Sequence, residues 1–115
     1  MRRRLLFAQL GIVSLLAIAQ FSAISAYAQN QIEWYFVPSH VLGGLWAMFF
    51  ILMCIVIAGY RPALWTALLL VLGAGLFWEA FELAIGANSQ PLDTMIDLVA
   101  DLCGGWLGWQ VYRRI

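Results

Sequence analysis

The sequence predicts an all-α membrane protein, a compact bundle of four transmembrane helices with both termini on the cytoplasmic side. Three observations carry that expectation. Hydrophobic residues make up 64% of the 115-residue chain, charged residues make up 10%, and the mean hydropathy is +0.89. That is more apolar surface than a soluble domain of this size can cover, so lipid is the expected solvent. Four apolar stretches reach the roughly 20 residues that a helix needs to cross about 30 Å of hydrocarbon. The charges also segregate. Arg2, Arg3, Arg4, Arg61, Arg113 and Arg114 lie at chain ends or in one short turn, whereas Glu79, Glu82, Asp93, Asp97 and Asp101 lie within or beside apolar runs. The net charge of zero hides this bipolar arrangement.

The chain reads as one domain, with no repeat, low-complexity tract or soluble linker. Its first segment, residues 5–28, has two readings. It is long enough to span, yet Arg2 to Arg4, the apolar run and Ala26-Tyr27-Ala28 before Gln29 also form the three parts of a secretory signal peptide. Cleavage would leave three crossings, and both outcomes place Gln29 outside. The remaining spans are expected at 37–59, 63–85 and 92–112. Pro38, Pro62 and Pro91 stand at their entrances, where a helix needs no amide donor and a fixed φ suits the start. A run such as Ala47 to Ile57 lacks the alternation of a barrel strand.

Arginine marks cytoplasmic ends, so the N-terminus, the turn at Arg61 and the C-terminus are all assigned inside. The first outer connection then lies around Glu33, read as a solvated loop charge, and the second around Asn88 to Pro91. Aromatics mark both water boundaries: Trp34, Tyr35 and Trp78 outside, and Tyr60, Trp65, Trp109 and Tyr112 inside.

Polar residues fall on helix faces. Positions three, four and seven apart share a face, so Leu72, Gly75, Glu79, Glu82 and Gly86 form one stripe. Asp93, Asp97 and Asp101 form another, continued by Gly104, Gly105 and Gly108. His40, Gly43, Gly44 and Ala47 form a third. Glycines beside acids let backbones approach closely, and Gly104-x-x-x-Gly108 is a small-residue packing register. Lipid cannot solvate ionisable groups, so His40, Glu79, Glu82, Asp97 and Asp101 are expected to converge in one outward-facing pocket. Asp93 is a weaker member, because its place at a helix start already stabilises its charge.

Acids crowded in low dielectric cannot all stay charged without compensation. With the arginines on the opposite side, what remains is shared protons, pairing with His40, hydrogen bonds to Thr94 or backbone, or a bound divalent cation. A histidine with carboxylates suits zinc or manganese, and carboxylates alone suit calcium or magnesium. Other chemistries find little support. Ser39 and His40 are adjacent, so on a helix they diverge by about 100° and do not form a nucleophile and base pair. Cys54 and Cys103 stand far apart without a Cys-x-x-Cys pair, which argues against a disulfide or a soft-metal site. No glycine-rich phosphate loop and no basic patch with interleaved aromatics appears, so nucleic acid is not an expected partner.

The order of the motifs His40-Val41-Leu42-Gly43-Gly44, Trp78-Glu79-Ala80-Phe81-Glu82, and Asp93 through Asp97 and Asp101 to Gly104-Gly105 resembles the VanZ-like and YjdF-type small bacterial membrane proteins. The resemblance covers roughly the last two thirds of the chain. It implies a multi-helix protein of the bacterial inner membrane with an envelope role, and it marks His40, Glu79, Glu82, Asp93, Asp97 and Asp101 as the family-type polar positions. It implies no reaction, and the chain lacks extra helices and a soluble domain that some relatives carry.

Two functional expectations follow. In the first, the acidic pocket binds a cation or the headgroup of a lipid or envelope precursor. In the second, the protein is a structural or accessory subunit whose buried acids only lock helices together. The substrate, any catalytic role and the oligomeric state are open at this point. A proton or cation conduit would need several copies, because the inner halves of the second and third spans offer only Cys54 and Thr66 as polar side chains.

Overall fold

Long apolar runs account for the helices, with proline at or just before the start of α2, α3 and α4. The computed structural model describes residues 2–87 and 90–115. Four helices follow one another: α1 (Arg2–Asn30), α2 (Val37–Ile57), α3 (Leu64–Ala84) and α4 (Pro91–Tyr112). A 3-10 turn at Glu33–Phe36 leads into α2, and Asn88, in the expected outer turn, lies outside the described residues. Proline occupies the first turn of α2 and of α4. Pro62 behaves differently. It precedes Ala63, the extended residue that caps α3, so it ends the preceding connection instead of opening the helix.

Two helices finish on the same device. Gly59 (φ 82°) and Gly86 (φ 73°) take the left-handed conformation that a side chain disfavours. The next amides then reach back, Tyr60 N–H to Ile55 C=O at 3.0 Å and Ala87 N–H to Glu82 C=O at 2.9 Å. These bonds satisfy carbonyls that a helix end otherwise leaves without partners.

Helix α2 is the hub of the bundle. It packs most extensively against α4 and also contacts α1 and α3, while α3 contacts α4. Small residues allow the α2–α4 approach. A Cβ on Gly44 would fall on the backbone carbonyl of Asp101, and a Cβ on Gly104 would fall on that of Val41. Gly108 sits against Met48, where an added Cβ would lie 3.0 Å from that side chain. Gly105 turns to the other neighbour, with a virtual Cβ 3.2 Å from Val71 of α3. A hydrophobic cluster of Met48, Leu52, Ala67 and Val71 joins α2 to α3, with Trp109 and Tyr112 of α4 packed against it.

Outside this core the surface is apolar: Phe7, Phe21, Trp65 and Phe77 are each at least 70% exposed. A soluble protein would gather such residues inside, whereas hydrocarbon accepts them. The long axis measures 45 Å, about the thickness of a bilayer with its headgroups. Three helical segments, Arg3–Asn30, Trp34–Ile57 and Leu64–Ala84, are long and apolar enough to cross a membrane. Helix α4 falls short of that apolarity because it carries Asp93, Asp97 and Asp101. The Arg4 guanidinium donates to the Ile115 carbonyl oxygen at 2.9 Å, so the two termini meet at one end of the bundle.

Candidate functional site

Helical spacing delivers the site. Asp97 and Asp101 are four residues apart and share the face of α4 that meets α2. Gly75 and Glu79 do the same on α3, and His40 occupies the first turns of α2. Glycines then create the room. A Cβ on Gly75 would lie 2.7 Å from Asp101 Oδ2, and one on Gly43 would lie 3.9 Å from Oδ1. The Asp101 carboxylate thus occupies space that a side chain at position 75 would take, and it lies in ordinary contact with Gly43.

His40 joins the two aspartates. Its Nδ1 lies 3.3 Å from Asp101 Oδ1, and its Nε2 lies 3.4 Å from Asp97 Oδ2. In the tautomer that carries its proton on Nδ1, the ring donates to Asp101 and turns Nε2 toward Asp97. Glu79 is 7% exposed and approaches from α3. The Thr94 hydroxyl donates to its Oε2 at 2.9 Å. One ligand atom each from His40, Glu79 and Asp97 falls within 4.8 Å of the others, so three helices present a nitrogen and two oxygens to one point.

The expected pocket residues therefore divide by role. His40, Glu79 and Asp97 form the close trio. Asp101 stands behind the imidazole, on its other nitrogen. Glu82 is half-buried and is held on its own helix, where the Trp78 indole N–H donates to Oε1 at 2.9 Å. Asp93 lines the same cavity one turn above Asp97. Among the expected packing glycines, Gly44, Gly104 and Gly108 serve the α2–α4 seam, Gly105 serves α3, and Gly43 and Gly75 flank Asp101.

A cavity of ≈ 720 Å³ opens beside the trio. Its polar end carries His40, Glu82, Asp93, Asp97 and Asp101, and its walls include Trp46, Ala47, Val71 and Ala74. Helix α1 adds Val13, Leu16, Ala17 and Gln20, none of which the sequence singled out. Gln20 carried the one available signal, a polar side chain in an apolar run. Ser39 also lines the cavity, at 6% exposure. The free thiols of Cys54 and Cys103 lie on exposed positions.

Compared with known proteins, the chain matches no family model, no curated protein and no solved structure. The chemistry of the site rests on its own residues.

Proposed function

We propose that this is a bacterial inner-membrane protein with four crossings and cytoplasmic termini, whose outward-facing acidic pocket holds a divalent cation. Arginine at the end where the termini meet supports the orientation. Helix α4, at 22 residues, is about 33 Å long, enough to cross, and turns Asp97 and Asp101 toward its neighbours instead of toward lipid. The observation that carries the reading is the trio: ligand atoms of His40, Glu79 and Asp97, from three helices, within 4.8 Å of one another.

One nitrogen and two carboxylate oxygens suit zinc or manganese. Two carboxylates and a neutral imidazole balance a dication, which removes the cost of leaving acids charged in low dielectric. Asp101 supplies the carboxylate that a metal-bound histidine commonly has on its second nitrogen. Three protein ligands leave a coordination position open, as in sites where a metal acts on water or a headgroup. The test is the metal content of purified protein and titration with zinc and manganese. His40→Ala and Asp97→Asn should abolish uptake. Folded wild-type protein that takes up neither ion rejects the reading.

The burial of Asp101 against Gly43, Gly44 and Gly75 favours a second reading, in which the acids are packing elements of an accessory subunit. That reading predicts lower stability in the same variants and no ion uptake by wild type.

A further inference from the structure

His40 and Asp97 of the trio line only one end of the cavity. From His40 the cavity continues along α2 to Ala47, about 10 Å deeper, walled by Leu16 and Ala17 of α1 and by Val71 and Ala74 of α3. Helix α1 packs chiefly on α2, and α3 packs on α4 and α2, so this apolar trough lies between α1 and α3. At the polar end Glu82 and Asp93 line the cavity, and among the described residues no arginine does. Ser39 is 6% exposed there, and its hydroxyl has no hydrogen-bond partner among the described residues. A buried hydroxyl is costly until a ligand pairs with it.

We infer that the cavity binds an amphiphile from the bilayer, with its hydrocarbon chain in the trough between α1 and α3 and a positively charged amine head held by Glu82 and Asp93. Ser39 accepts a hydrogen bond from that head. Charge complementarity selects the amine: a phosphate head would face the Glu82 and Asp93 carboxylates, and the one basic side chain in the described lining, His40, is already engaged by Asp97 and Asp101. The indoles of Trp34 and Trp78 line the same cavity and belong to the ring type that attracts ammonium most strongly. The inference rests on the outward-facing, membrane-embedded pocket proposed above. It does not rest on the metal, because neither Glu82 nor Asp93 belongs to the trio.

Native mass spectrometry of the purified full chain in maltoside micelles tests this with three probes of equal chain length: dodecylamine, dodecanol and dodecyl phosphate. One dodecylamine per chain is expected, retained about tenfold more strongly than either other probe. Ala74→Phe fills the trough without touching an acid and should remove the adduct while metal uptake persists. Glu82→Gln combined with Asp93→Asn should weaken amine retention about tenfold. Equal retention of the three probes by wild type, preference for the phosphate, or full amine retention in Ala74→Phe overturns the inference. Amine retention in wild type that takes up no metal upholds it and rejects the ion site alone.

Discussion

His40 Nδ1 lies 3.3 Å from Asp101 Oδ1, which fixes the ring so that Nε2 faces Asp97. A free imidazole can place its proton on either nitrogen, and only one of the two tautomers leaves Nε2 free to ligate. Removing the Asp101 charge while keeping its shape should therefore weaken metal binding without removing a ligand. Asp101→Asn is expected to lower affinity by about 10- to 100-fold, against complete loss for His40→Ala. Calorimetric titration of both variants checks this. Equal losses would place Asp101 among the direct ligands.

Metal should also stabilise the fold. A ligand that binds only the folded state adds about 2.7 kcal/mol at a hundredfold excess over its Kd. Because the trio draws on α2, α3 and α4, the gain should appear as a rise in melting temperature of detergent-solubilised protein, reversed by chelator. Acidification should reverse it too, since His40 and both carboxylates must be deprotonated to ligate. A melting temperature indifferent to zinc, manganese and chelator would favour the packing reading of the acids.

The seam between α2 and α4 makes a steric prediction. Gly44→Ala would place a methyl group on the Asp101 carbonyl and Gly104→Ala would place one on that of Val41, so each must push the helices apart. Overpacking of this kind costs about 1–3 kcal/mol, and relief requires moving backbone, not side chains. Gly73 has nothing within 4 Å of a virtual Cβ, so Gly73→Ala should be neutral or stabilising. Thermal unfolding of the three variants gives the comparison. Gly44→Ala should also displace Asp101 and so reduce metal affinity.

Much of this architecture was legible because two simple signals coincide. Apolar run length set the helices, and three- and four-residue spacing placed His40, Glu79, Asp97 and Asp101 on faces that had to turn inward. Which acid meets which imidazole nitrogen depends on helix rotation, and no spacing rule contains it. The glycines show the same limit: Gly104, Gly105 and Gly108 read as one stripe, yet Gly105 packs on α3 while the other two meet α2. Helix α1 was the least legible. Its few polar side chains mark no single face, so apart from Gln20 nothing in its pattern marked Leu16 and Ala17 as a cavity wall. Pro62 looked like a first-turn residue and stands outside α3, because proline suits an extended connection as well as a helix start.

The orientation of the pocket is the last prediction, and the arginines make it. The contact from Arg4 to Ile115 gathers the chain ends at one pole, while His40, Glu79, Asp97 and Asp101 gather toward the other. Arginine near span ends is retained on the cytoplasmic side, so the pole with the acids should face outward. Single cysteines in a Cys54→Ala, Cys103→Ala background can report this with a membrane-impermeant maleimide on intact spheroplasts. Tyr60 and Gln90 are both exposed and sit in opposite connections, and neither is an arginine that sets the topology. Gln90→Cys should label on intact cells, and Tyr60→Cys only after lysis. The reverse pattern would put the acids in the cytosol, where an amphiphile or ion would have to arrive from the other leaflet.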